Sequence, residues 1–219
     1  MEELLSGLVD EFRTTYGCHT IILYGSLARG DHTEESDIDL LGIREGGSVL
    51  RDAREWKGVY LDAFIYPESI LETFDEGMAR VLGGRILIQR GDFGTQLLDR
   101  VKAMIAKGPP PPDSADVRVR LTWARKMIGR IGRRDIEGNY RRHWLLYQLL
   151  EDYFYFRGLW FGGSKLGFQW MKSDDPITYR LFEAALDPGA SDEALQSLVE
   201  HLQRVAVPAL EARDERSPS

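Results

Sequence analysis

The chain has 219 residues, a formal net charge of −7 and a single cysteine. Its length suits one large domain or two small ones, and its composition is that of an ordinary soluble globular protein. The charge makes no general case for a nucleic-acid partner, one cysteine excludes an internal disulfide or a cysteine zinc site, and no stretch is apolar for the length of a membrane span.

Residues 1–16 are predicted to form an amphipathic helix. Leu4, Leu5, Leu8, Val9 and Phe12 recur at helical spacing, and Gly17 suits the C-cap. The N-terminus carries no apolar leader, so the cytoplasm is the expected location. Cys18 reads as a small buried filler beside the first strand. Next, Ile21-Ile22-Leu23-Tyr24 runs into Gly25-Ser26-Leu27-Ala28-Arg29-Gly30, and a short spacer leads to Ser36-Asp37-Ile38-Asp39-Leu40-Leu41. This pattern predicts strand, tight turn, short helix, strand. Gly25 lets backbone amides approach a ligand and Ser26 adds a hydroxyl donor, so the turn suits a phosphate. On the following strand residues two apart share a face, which sets Asp37 and Asp39 side by side. Adjacent carboxylates repel, and a divalent cation relieves that; hard oxygen donors favour Mg²⁺ or Mn²⁺. A phosphate cradle beside an acidic metal site is equipment for phosphoryl or nucleotidyl transfer. His32 falls in a polar loop and is expected to face solvent.

Gly46-Gly47 marks a turn, and Arg51 to Lys57 reads as a short helix or a loop. Gly58 to Tyr66 is predicted as a third strand ended by Pro67, with Tyr60, Asp62 and Phe64 on one face. An acid inside such an apolar strand is costly without a partner. If this strand lies beside the Asp37/Asp39 strand, Asp62 completes a carboxylate triad. Residues 67–76 look like a helix with proline in its first turn. Residues 85–89 form a short strand or helical turn, and 92–106 a helix with Leu97, Leu98, Val101 and Ile105 inward.

Lys107-Gly108-Pro109-Pro110-Pro111-Pro112-Asp113 is the clearest boundary, because four prolines favour an extended, semi-rigid spacer. The predicted organisation is a first domain over 1–107, a linker over 108–113 and a helical bundle over 114–219. Its helices are expected over 114–134, 140–160, 165–171, 175–186 and 191–211. Ser191 acts as an N-cap there without a capping box, Pro208 kinks or ends the last helix, and 213–219 frays. The aromatics of 144–160 read mainly as core. The arginines between Arg118 and Arg142 read as a solvated helix face.

Gly25-Ser26, the Ala28-Arg29-Gly30 that follows and the Asp37-x-Asp39 pair resemble the signature of the DNA polymerase beta superfamily of nucleotidyltransferases. The resemblance implies an α+β fold: a small mixed nucleotidyltransferase sheet flanked by helices, followed by an all-α helical bundle. It implies two Mg²⁺ or Mn²⁺ ions held by Asp37, Asp39 and Asp62, with Asp62 the third acid and a candidate base. A nucleoside triphosphate would lie on Gly25 and Ser26, Arg29 could orient a phosphate or pair with Asp31 or Glu35, and Lys165 from the helical half would reach the triphosphate. Size and order look like small bacterial aminoglycoside or lincosamide nucleotidyltransferases. In similar antibiotic-modifying enzymes a carboxylate of the helical domain is the base, which points to Glu151 or Asp152. The expected acceptor is a small molecule. The alternative is an antitoxin-like nucleotidyltransferase that modifies a protein partner. The sequence leaves the oligomeric state open.

Overall fold

The computed structural model describes residues 2–211, which divide into two compact units between Lys107 and Gly108. The first unit opens with α1 (Glu2–Tyr16), then β1 (Thr20–Tyr24), the five-residue α2 (Gly25–Arg29) and β2 (Ile38–Arg44). A hairpin of β3 (Leu50–Trp56) and β4 (Val59–Pro67) follows, then two 3₁₀ turns (Glu68–Leu71 and Glu76–Val81), β5 (Arg85–Ile88) and α3 (Phe93–Lys107). The strands form one sheet in the order β3-β4-β2-β1-β5. It is mixed, as predicted: β2 and β4 run parallel and the other pairs antiparallel.

Two apolar layers sandwich the sheet. Leu5, Leu8 and Phe12 of α1 pack on Ile21, Leu23, Ile38, Leu40, Leu61 and Ala63. Leu97 and Val101 of α3, with Val81 and Met78, cover Ile22, Leu41 and Ile43 on the other face. Central β2 is therefore covered on both faces, which explains why Ile38, Leu40, Leu41 and Ile43 are all apolar and Asp39 stands out among them. Cys18 is buried as expected, and its Sγ would lie 2.7 Å from a Cβ added to Gly42.

Two sequence expectations fail here. The stretch read as a helix or loop over 51–57 is edge strand β3 up to Trp56, with Lys57 in the turn that follows. Lys57 and Gly58 both have positive φ, 49° and 82°, so a two-residue turn of the kind that suits a twisted hairpin folds β3 back onto β4. The charges that hid this strand protect its open edge. Arg54 pairs with Asp52 and Glu11, and Glu11 also accepts from Trp56 Nε1 at 2.8 Å. The second failure is residues 67–76. Pro67 ends β4, and the chain continues as isolated 3₁₀ turns in place of a helix.

The second unit is helical, as predicted: α4 (Ser114–Ile131), α5 (Ile136–Phe156), α6 (Ser164–Asp174), α7 (Pro176–Leu186), α8 (Asp192–Val205) and α9 (Val207–Glu211). Side-chain oxygens cap four of them: Asp113 on α4, Asp135 on α5, Asp175 on α7 and Ser191 on α8. Pro208 sits in the first turn of α9, just past the break that ends α8. Leu145, Leu149, Tyr153 and Phe154 of α5 pack with Met171, Phe182, Leu195, Leu198 and Leu202. Tyr140, Trp144 and Tyr147 stay exposed, so the aromatics of α5 are only partly core. The expected fraying of 213–219 lies outside the described residues.

Candidate active site

The first site element follows from β1. Its last residue, Tyr24, pairs with Asp39 of β2, so the chain leaves the sheet immediately beside that acid. Gly25 makes the exit with φ +71°, a backbone conformation that side chains disfavour. A Cβ there would stand 2.0 Å from Asp39 Oδ2 and 2.9 Å from its Cγ. Glycine is therefore required twice, by the turn and by the carboxylate pressed against it. Ser26 follows, half-buried, and no side chain caps this end of α2.

The second element is the parallel pairing of β2 with β4, which sets Asp39 opposite Asp62. Parallel neighbours in register project to the same face, so the two carboxylates share the face that Leu41 and Ile43 bury further along. Asp37 precedes β2 and is exposed. Burial first, then the charges of Asp37 and Asp62, push the Asp39 carboxyl up to about 6, against the opposing effect of Arg29 and Arg80. A cation bound beside Asp39 would relieve both the burial of its charge and the repulsion from its neighbours.

Asp62 has a protein partner. Arg51 of β3 donates Nε to Oδ1 and Nη2 to Oδ2, both at 2.8 Å. Arg51 lies opposite Phe64 in the β3–β4 register, two residues from Asp62 on the same face. Its guanidinium stands 5.2 Å from the Phe64 ring centre, and that of Arg80 stands 4.4 Å from the same ring while donating to Tyr66 Oη at 2.7 Å. Arg29 pairs with Asp31 at 3.3 Å, one of the two roles open to it from sequence.

The donor chemistry fits a divalent cation: hard carboxylate oxygens, and a concentration of negative charge that binding would relieve. Among the described residues no three acidic, histidine or cysteine side chains are already grouped to hold a metal ion. Asp62 is engaged by Arg51 and Asp37 stands exposed ahead of β2.

The second-unit candidates are placed as follows. Lys165 is exposed in the first turn of α6. Glu151 is half-buried on α5. Asp152 is 1% exposed and accepts from Arg120 at 2.7 Å and Gln148 at 3.1 Å, which joins α5 to α4. Burial raises its carboxyl, with the bonds from Arg120 and Gln148 opposing. Much of the arginine run is taken up in ion pairs: Arg120 with Asp116, Arg133 with Asp135, Arg141 with Glu137 and Arg142 with Asp192.

Sequence reading passed over Arg51 and Arg80. For Arg51 a signal existed, since alternating charges between Gly46-Gly47 and Lys57-Gly58 fit an edge strand that turns sharply. Arg80 lies in an irregular 3₁₀ turn and has no comparable signature.

Residues 5–69 match the family model described as nucleotidyltransferase domain. No curated protein matches the chain. Among solved structures, a nucleotidyltransferase-like protein from Exiguobacterium sibiricum is similar, with TM-score 0.47 and 18% identity over 100% of this chain and 81% of that one.

Proposed function

We propose, on the match of residues 5–69 to the nucleotidyltransferase-domain family model, that the protein moves a nucleoside monophosphate from a nucleoside triphosphate to an acceptor hydroxyl. The observation that carries this reading is the meeting of Gly25, Asp39 and Asp62. Strand register and a glycine turn bring a bare backbone turn and two carboxylates together on the neighbouring strands β1, β2 and β4.

In this reading the turn at Gly25-Ser26 receives the terminal phosphates on backbone amides and the Ser26 hydroxyl. Asp37, Asp39 and Asp62 would hold divalent cations, Mg²⁺ or Mn²⁺. When bound, such ions neutralise phosphate charge and make an acceptor hydroxyl more acidic. The hydroxyl oxygen forms a bond to the α-phosphorus, and the bond from that phosphorus to the bridging oxygen breaks. Pyrophosphate departs with that bond's electron pair, and Asp62 would accept the hydroxyl proton. The acceptor we assign is a small, cationic, polyhydroxylated molecule of aminoglycoside-like character. The net charge of −7 favours it over a polyanionic nucleic acid.

The test incubates the protein with Mg²⁺, each labelled triphosphate in turn and pooled acceptors: aminoglycosides, lincosamides, RNA and lysate protein. Label moving to a small molecule with release of pyrophosphate is the expected result. Label moving only to one protein would replace the small-molecule acceptor with a partner. Asp39→Asn should abolish transfer, and full activity in that variant would remove the carboxylate assignment.

A further inference from the structure

We propose that Arg51 is an exchangeable cation of the site: it holds Asp62 when no divalent ion is bound and passes to the polyphosphate of the substrate when one is. The inference rests on the nucleotidyltransferase reading and extends it to a residue outside the Gly-Ser and Asp-x-Asp motifs.

The geometry supplies both halves. Arg51 takes one lone pair of each Asp62 oxygen at 2.8 Å and sets a positive charge against them, so a metal ion entering there competes with the guanidinium. Asp39, the partner of Asp62 across the β2–β4 register, forms no ion pair among the described residues. An entering cation therefore finds one carboxylate open and one clasped. Arg51 is free to move, because its side chain is 56% exposed on an edge strand while that of Asp62 is 21% exposed. Displacement breaks a two-pronged ion pair whose arginine end lies in solvent, where screening lowers the cost.

What Arg51 meets next follows from Phe64. That ring bears Arg51 at 5.2 Å and Arg80 at 4.4 Å, so two guanidinium groups share one aromatic support on the face that carries the acids. Released from Asp62, Arg51 keeps this support and offers its planar fork to a phosphate, the anion such a fork matches best. Arg80 is already fixed by Tyr66 and stays in place. One charge thus serves twice, quieting Asp62 in the empty protein and neutralising phosphate in the loaded one.

Two measurements that do not read turnover test this on the whole protein, with Arg51→Ala and Arg51→Gln compared to wild type. The first is Mn²⁺ affinity without nucleotide, from the electron paramagnetic resonance signal of free Mn²⁺. The second is binding of a non-hydrolysable triphosphate analogue in the presence of Mg²⁺. Loss of a half-exposed competing ion pair should tighten Mn²⁺ binding by about two- to fivefold. Loss of a charge-assisted fork should weaken the analogue by about tenfold. Arg51→Lys, which keeps the charge without the fork, should fall between on both scales. Opposite movement of the two affinities is the signature, since a merely structural arginine would move both the same way. Unchanged or weaker Mn²⁺ binding overturns the competition, and unchanged analogue binding overturns the transfer to phosphate. If wild type binds both ligands and the variants match it, this inference alone fails. If wild type binds neither, the nucleotidyltransferase reading fails and takes the inference with it.

Discussion

Replacing Gly25 by alanine tests the local geometry most directly. The new methyl would lie 2.0 Å from Asp39 Oδ2 and 3.2 Å from Asp39 Cβ, at a backbone with φ +71°. Holding alanine in that left-handed region costs about 1–2 kcal/mol. Forcing apart two groups that already touch costs about 1–3 kcal/mol more. The two sum to about 2–5 kcal/mol of lost stability, a large share of what a domain this size has to lose. The clash has one identifiable partner, so a double-mutant cycle separates the terms. Urea denaturation should show Gly25→Ala strongly destabilised. With Asp39→Ala already present, the same change should retain only the backbone part, a coupling of about 1–3 kcal/mol. Additive effects would mean that Asp39 does not lie against Gly25, and the meeting of turn and acid would dissolve.

Two further expectations concern the helical unit. Arg120→Ala leaves Asp152 buried with only Gln148 as partner, and because Arg120 is itself one-third exposed the loss should be about 2–4 kcal/mol. Adding Asp152→Asn should restore part of it by denaturant titration, whereas a further loss in the double variant would show that the carboxylate charge is not the liability. The second concerns His201, whose Nε2 lies 2.7 Å from Thr178 Oγ1. Burial holds its pKa below the usual value, with Arg204 adding to the effect and Asp175 opposing it. The folded state therefore binds fewer protons than the unfolded chain around that value. Stability is complete above the unfolded pKa of about 6.5 and falls as pH drops through it toward the folded value. Unfolding curves from pH 7.5 to 5.5 should show a loss that His201→Gln reduces; identical slopes would exclude His201 as the source.

The central sheet could be read from sequence because β1, β2 and β4 must be apolar to be buried, and the two faces of β4 alternate cleanly around Asp62. The same logic failed for β3, whose stability comes from pairing along one edge and from charges that link to Glu11 and Asp62, neither of which leaves an apolar pattern. Residues 68–81 failed for a related reason. Ile70, Met78 and Val81 are buried one at a time by an irregular path, and no periodicity announces them. At the site, Gly25, Asp39 and Asp62 announce themselves as a glycine at the end of a strand and acids within strands. Arg51 needed the register of an unrecognised strand, and Arg80 needed coordinates outright. The family resemblance also suggested Asp152, with Glu151, as a base without revealing Arg120, because two helices had to pack before that ion pair existed.

The different fates of Asp39 and Asp62 carry a last consequence. Asp62 is offset by Arg51, while Asp39 is half-buried between two like charges and a glycine turn. Its carboxyl, pushed up to about 6 chiefly by burial, lies above the ordinary aspartate value of about 3.9. The folded state thus holds more protons than the unfolded chain between those values. Stability falls as pH rises through that window, and the loss persists at neutral pH. Discounted for solvent screening at a partly exposed carboxylate, the penalty is on the order of 1 kcal/mol. Asp39→Asn removes the charge and keeps the shape. We therefore expect the variant to be more stable than wild type at pH 7.5 in chelator, and equal to it near pH 4, while losing nucleotidyl transfer. A site that gains stability when its function is removed has been kept for the function. A variant less stable than wild type at pH 7.5 would show that Asp39 is already satisfied within the fold. The charge that Asp39 leaves uncompensated, which argues for a cation there, would then be gone.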